Sequence, residues 1–553
     1  MLLRYPEKSF LFFWQIMSSL LVLSVTVAVT ALGVWIWIRR SRDRIPGGPR
    51  AWPLLGSTLE LTTNFHRLYD WITDYAIQMP TFQASHMGFR FFFTVDPANV
   101  EYILMTKFDN YVKGSAAHEI QYDFLGDGIL NTDGEMWRLQ RKSARLEFSS
   151  KMLRLYSTDA FRKYAVKLNS VLEQKAINGA VVNMQDLLLR MTIDSIGELS
   201  FGVEIGSLVS SLPDVPFASA FDRSNAHCAS RYFDPFWKLK KQFNIGSEAK
   251  AKQDVRVLDN FIYPLIQKRK QSIQDNEVKS KSDLLSRMLS MAEENPELYD
   301  DRKLRDAVLN FLFAGRDGTA ITLSWLLWLL SENSQVEEKI VQELHSIPGF
   351  NGTAIDENDV CCFKKYSELL TYDVLNNNMH YLHAAITETL RLFPAVPLDG
   401  KSAVSNDILP DGSRIAKGNV VFYVPYAMGR MQRLWGDDAM EFKPERWLNE
   451  DGIFQPQSPF KFTAFQAGPR NCIGKESAYL QMKIAAALLL RFFTFEICER
   501  SPSKVQDGLK LARALFTNDH PPARKQMMTR NTCFYCGNVM NPCWFNSSIC
   551  CNL

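Results

Sequence analysis

The stretch FTAFQAGPRNCIGKESAYLQMKIAAALL, Phe462 to Leu489, sets the narrowest limits on what this chain can become. Its first half holds one cysteine, Cys472, fenced by Gly468, Arg470 and Gly474, and its second half reads as a helix. The spacing is Phe465-x-x-Gly468-x-Arg470-x-Cys472-x-Gly474. Gly468 lets the loop turn tightly, and Gly474 lets the following helix lie against a flat object with no side chain between. A thiolate placed there has its charge stabilised by backbone amides near the helix start. A lone cysteine is more often a small buried hydrophobe. Five fixed positions in so short a loop argue instead for a thiol that is being presented to something.

The rest of the chain permits a large core behind that loop. It has 553 residues, 46% apolar and 22% charged, an ordinary globular balance. A net charge of +3 and the lack of a recognition module argue against nucleic acid as a partner. Of ten cysteines, five (Cys533, Cys536, Cys543, Cys550, Cys551) crowd the C-terminal end, so the body reads as a reduced, cytosol-facing domain and not a disulfide scaffold. From Phe10 to Ile38 no residue is charged. As a helix that run would be about 43 Å long, enough to span a hydrocarbon core of roughly 30 Å with tilt. Arg39, Arg40, Arg42 and Arg44 follow it, against Arg4 and Lys8 before it, which puts the body on the cytosolic side.

The expected organisation is a short lumenal segment over 1–9, a transmembrane anchor over 10–38, and a basic, proline-rich hinge over 39–57. One large domain then covers 58–520, and a Cys-rich tail, expected to be disordered, covers 521–553. In the hinge, Pro46, Pro49 and Pro53 stop the helix. The body is expected to be mainly α with small β-sheets. Helices are predicted over Asp186 to Phe201 and, too apolar in its centre for a surface element, over Asp301 to Asn333. Strands are predicted at Phe89 to Val95 and within Gly412 to Tyr426, with Gly418 at a turn. The polar run Gln267 to Asp283 reads as a solvated loop.

A thiolate loop of this kind suits the axial position of a ferric haem, with Arg470 paired to a propionate and Phe465 packed against the ring. It resembles the haem-binding loop of the cytochrome P-450 superfamily, the haem-thiolate monooxygenases. Other marks fall in that family's order. ETLR, Glu388 to Arg391, resembles its ExxR pair, and residues three apart share a helix face. FKPERW, Phe442 to Trp447, resembles the segment whose arginine, here Arg446, completes a structural triad with Glu388 and Arg391. WRLQRK resembles the helix whose tryptophan and basic residue, Trp137 and Arg141, bind a propionate. The resemblance implies the cytochrome P-450 fold in one catalytic domain, haem b (iron protoporphyrin IX), and Cys472 as iron ligand.

AGRDGTA, Ala314 to Ala320, resembles the family's oxygen-side run. Small Ala314 and Gly315 are expected to leave room for dioxygen, and Asp317 to relay protons, with Thr319 as the nearest hydroxyl. The family's usual threonine position is Gly318 here. Thr319, one residue on, is turned by about 100° and is no simple replacement. Water would fill the gap, or the helix would bulge.

The segments around Arg446 and Cys472 resemble most the plant fatty-acid ω-hydroxylase branch. That implies hydroxylation of a long-chain fatty acid at the terminal carbon, with electrons from NADPH–cytochrome P-450 reductase, on the endoplasmic reticulum membrane. Phe311, Leu312, Phe313 and Pro394 to Leu398 are apolar lining candidates, equally readable as core. Gly318 keeps two alternatives open: an isomerase or dehydratase acting on an oxygenated lipid without dioxygen, and a catalytically impaired haem protein. The tail resembles nothing in the family. Its CxxC at Cys533 and Cys536, with Cys543 and Cys550, has thiols enough for zinc but little framework.

Overall fold

In a computed structural model of the chain, the structure describes residues 7–41, 48–52, 55–87, 89–145, 148, 153–275, 283–294, 299–350, 362–497 and 509–513. The Cys-rich tail lies outside the described residues, as do 42–47 and 53–54 of the hinge.

Helix α1 (Glu7–Ser41) takes in the whole uncharged run, and its described side chains from Ser19 to Trp35 are almost all exposed. Among the described residues, no helix is long and apolar enough to cross a membrane.

The body is mainly helical. Helix α2 (Gly134–Arg145) carries Trp137 and Arg141; α3 (Met184–Phe201) and α4 (Pro216–Arg231) follow it. Helix α5 (Asp301–Glu332) is the core helix. The Asp300 side chain caps it by accepting from the Lys303 amide at 2.8 Å. Buried residues occupy nearly every face from Leu304 to Leu330, which is why its sequence lacks a polar stripe. It runs without a π turn through Gly318, so the bulge allowed on sequence grounds is absent. Helix α3 crosses α5, and helices α6 (His380–Leu392) and α7 (Lys475–Phe492) pack beside it. In α7 the run Ile484–Leu490 is wholly buried.

The largest sheet combines β1 (Thr81–His86), β2 (Phe89–Thr94), β3 (Tyr111–Val112), β4 (Asp399–Ala403) and β5 (Val420–Tyr423) in the order β1-β2-β5-β4-β3. The β2–β5 pair is parallel and the others antiparallel. Gly418, at φ +81°, makes the turn before β5. One sequence expectation needs correction. The polar run Gln267 to Asp283 is not all loop, because the helix Gly246–Gln274 extends into it. Charged composition marks a solvated surface, and a helix face provides one as well as a loop does.

Candidate active site

Cys472 stands two residues before the N-cap of α7, after a short 3-10 turn at Gly468–Arg470. Its amide donates to the Phe465 carbonyl at 2.8 Å, closing the loop. Gly468 has φ +65°, and a Cβ there would lie 2.1 Å from the Leu104 carbonyl oxygen. Only glycine fits both the torsion and that backbone approach. At Gly474 a Cβ would make ordinary contacts, 3.5 Å from Phe148 and 4.0 Å from Cys472 Sγ, so the described protein does not itself demand glycine there. The Phe465 ring packs on Tyr479, with centroids 5.2 Å apart.

The Cys472 side chain is only partly buried by area. Desolvation pushes its thiol up to about 11, against the Gly474 amide and the charges of Arg141 and Lys475, which favour the thiolate. Three donors gather beside it. Arg470 Nη2 donates to Asp133 Oδ1 at 2.6 Å and to the Thr132 carbonyl at 2.9 Å. Arg141 Nη2 donates to the Asn471 carbonyl at 2.6 Å and to Asn471 Oδ1. The guanidinium carbons of Arg470 and Arg141 lie 4.4 and 5.7 Å from the Trp137 ring centroid. Burial and the charge of Arg470 push Arg141 down to about 10. Trp137 Nε1, Arg141 Nη1 and Arg470 Nη1 are buried with no hydrogen-bond partner among the described residues. Three unsatisfied donors in one place are costly unless an acceptor joins them. A haem propionate has the charge and oxygens to do so. By that test, the donor set fits a haem beside Cys472.

Glu388 and Arg391 form the bidentate pair that their spacing predicts, both side chains fully buried and joined by two bonds of 2.7 Å. Arg391 also donates to the carbonyls of Ala439 at 2.6 Å, Glu441 at 2.9 Å, and Gly429. Arg446 reaches Glu388 at 3.3 Å and Asp438 at 2.9 Å. Sequence reasoning missed two partners of Glu388: Trp447 Nε1 at 2.8 Å and the Lys443 amide at 3.0 Å. Trp447 is the last residue of the FKPERW segment.

On α5, Asp317 Oδ1 accepts from Arg316 at 3.1 Å, and Asp317 Oδ2 accepts from Asn225 of α4 at 3.4 Å. Burial pushes its carboxyl up to about 6, with Arg316 opposing and Asp222 adding to the shift. Asp222 itself pairs with Arg316 through both oxygens. Thr319 is buried, and Ala314 packs partly buried against the hydrophobic cluster that contains Phe311 and Phe313. At Gly315 a Cβ would meet Ile196 of α3 at 2.6 Å, so its smallness serves the α3–α5 crossing. At Gly318 the nearest atom to an added Cβ is Ala395 Cβ, 3.9 Å away.

These two glycines therefore respond in opposite directions. Gly318→Ala is expected to raise stability by up to about 1 kcal/mol through helix propensity. Gly315→Ala is expected to lower it by about 1–3 kcal/mol through overpacking. Chemical denaturation of both variants checks the signs.

The family model described as Cytochrome P450 matches residues 46–521, and the chain belongs to that family. It is thus a cytochrome P450 monooxygenase, an oxidoreductase of a family that binds haem iron and works with dioxygen and reductase partners. Cytochrome P450 704B1 of Arabidopsis thaliana is 45% identical over 492 residues, covering 85% of this chain and 94% of that protein. Cytochrome P450 704C1 of Pinus taeda is 45% identical over 513 residues, covering 89% and 96%. Cytochrome P450 86B1 of Arabidopsis thaliana is 38% identical over 506 residues, covering 90% and 88%.

Proposed function

We propose that this chain is a membrane-anchored haem-thiolate monooxygenase that hydroxylates a long-chain fatty acid at its terminal carbon. It would use dioxygen and electrons from NADPH–cytochrome P-450 reductase. The observation that carries the haem reading is the meeting of the Cys472 thiol with three buried donors that lack an acceptor.

On this reading Cys472 Sγ would hold the iron of haem b, and Trp137 Nε1, Arg141 and Arg470 would hold its propionates. Haem bound there supplies dioxygen activation and oxygen insertion into a C–H bond. The chain's own residues do the rest. The Gly474 amide, Arg141 and Lys475 stabilise negative charge on sulfur. Phe465 and Tyr479 form an aromatic wall beside the loop. Asp317, its carboxyl raised to about 6, exchanges protons near neutral pH, held between Arg316 and Asn225. Glu388, Arg391 and Arg446 keep the surrounding loops in register.

The atom nearest to an added Cβ at Gly318 is the apolar Ala395 Cβ, a neighbour that suits a saturated chain end. Phe313 is better read as core, since it packs on Phe124 and Phe221 with ring centroids 6.1 Å away in each case.

For the partners and the membrane, three features support the reading. Exposed α1 side chains such as Leu21 and Val22 ask for an apolar surrounding. Phe236, Leu239, Phe243 and Ile245, large apolar side chains exposed together, suit a lipid surface. Helix α2 carries Arg138, Lys142 and Arg145 beside Arg141 and the cysteine loop, a basic face for an acidic reductase. With the anchor in the endoplasmic reticulum membrane, the body lies in the cytosol.

The test is incubation of membranes holding this protein and the reductase with a series of fatty acids, products being identified by mass. Terminal hydroxy acids that require NADPH are expected; hydroxylated lipids of other kinds alone would refute the substrate assignment. Gly318, lacking a hydroxyl, favours one second reading: an isomerase or dehydratase of oxygenated lipids. Turnover without NADPH and reductase would identify it.

A further inference from the structure

The loop that presents Cys472 contains a backbone oddity that the sequence does not announce. Gln466, directly after Phe465, has φ +62°, a left-handed conformation that a glutamine rarely adopts. Its side chain is buried and donates through Nε2 to Asp399 Oδ2 at 2.6 Å. Asp399 lies on β4, across from Tyr423 of β5 in the antiparallel register. The Tyr423 hydroxyl donates to the same carboxyl oxygen at 2.6 Å, and Lys401 Nζ stands 3.2 Å from it. One carboxylate oxygen thus ties the left-handed corner of the cysteine loop to two strands of the main sheet. All four side chains are nearly inaccessible to solvent.

We infer that Asp399 is a positioning residue for the Cys472 loop, fixing its geometry through Gln466 and setting the charge around the bound group together with Lys401. The inference rests on the proposed haem reading. Burial disfavours the Asp399 carboxylate, but the charge of Lys401 and the bonds from Tyr423 and Gln466 outweigh that and hold its pKa below the usual range. Lys401 is pushed down by burial and kept partly compensated by Asp399. Losing that carboxylate charge leaves the buried Lys401 ammonium, 3.2 Å from it, without that compensation.

Two variants separate tie from charge. Gln466→Gly suits φ +62° better than glutamine, so a backbone account alone expects a firmer loop. The tie account expects the reverse: on heating, the thiolate-type band of the reduced carbon-monoxide form is lost about tenfold faster than in the wild type, as for one buried charge-assisted bond. Asp399→Asn keeps an acceptor for Tyr423 and Gln466 but removes the charge. It is expected to keep the thiolate-type band and shift the haem reduction potential positive, a change that a purely structural role would not produce. Gln466→Gly no faster than wild type, or an unchanged potential in Asp399→Asn, overturns the inference. The wild-type spectrum checks the haem reading separately. Without a thiolate-type band that reading falls and takes this inference with it; with the band present and both variants behaving as wild type, only the inference falls.

Discussion

Arg391→Leu is expected to give a protein that scarcely accumulates in folded form and melts far below the wild type. Arg391 and Glu388 are completely buried, and the guanidinium also satisfies the carbonyls of Gly429, Ala439 and Glu441. Removing one partner of a buried pair costs about 3–5 kcal/mol, because the other charge is left uncompensated. Three buried carbonyls lose a donor in addition. Against a net stability of about 5–15 kcal/mol, that is a large share. Arg446→Leu should cost less, since Arg446 is 11% exposed, its contact with Glu388 is longer at 3.3 Å, and Trp447 and the Lys443 amide still hold Glu388. Thermal unfolding followed by near-ultraviolet circular dichroism reads the order. Equal melting of Arg391→Leu and wild type would refute the structural role assigned to the pair.

The second large effect is on turnover. Asp317→Asn is expected to lower kcat by about 100-fold while leaving substrate binding and the haem spectrum close to wild type, the usual scale for a lost general acid. The pH dependence carries its own sign. Burial raises the Asp317 pKa to about 6, so as pH rises through that value the folded protein loses a proton that an ordinary aspartate would have lost near 4. The protonated donor is therefore depleted above pH 6, and the wild-type rate should fall with an inflection near there. The asparagine variant should lack that inflection. The same shift means that the folded state binds the proton more tightly than the unfolded chain. Stability from this group is thus fully present at low pH and declines as pH rises to about 6. A variant with full turnover and an unchanged pH profile would remove Asp317 from the proton path.

Much of the site was readable because its parts are local. The Phe465 to Gly474 spacing, the Glu388–Arg391 pair three residues apart, and the apolar α5 are short-range patterns, and helix geometry alone makes them meaningful. What escaped reading lies between distant segments. Asp399 meets Gln466, Asn225 meets Asp317 and Ile196 meets Gly315 only after the sheet and helices have assembled. Gly315 shows the difficulty well. A small residue in a core helix clears space on one side, and the sequence does not say which side needs it. Gln466 is a like case, since no local rule picks that glutamine for a left-handed torsion.

The central claim is that Cys472 Sγ would hold the iron of a bound haem as thiolate, and the reduced carbon-monoxide difference spectrum tests it most directly. The wild type should show the thiolate-type band, and Cys472→Ala should lose that band and turnover together. A Cys472→Ala protein that keeps both the wild-type spectrum and the wild-type rate would contradict the account.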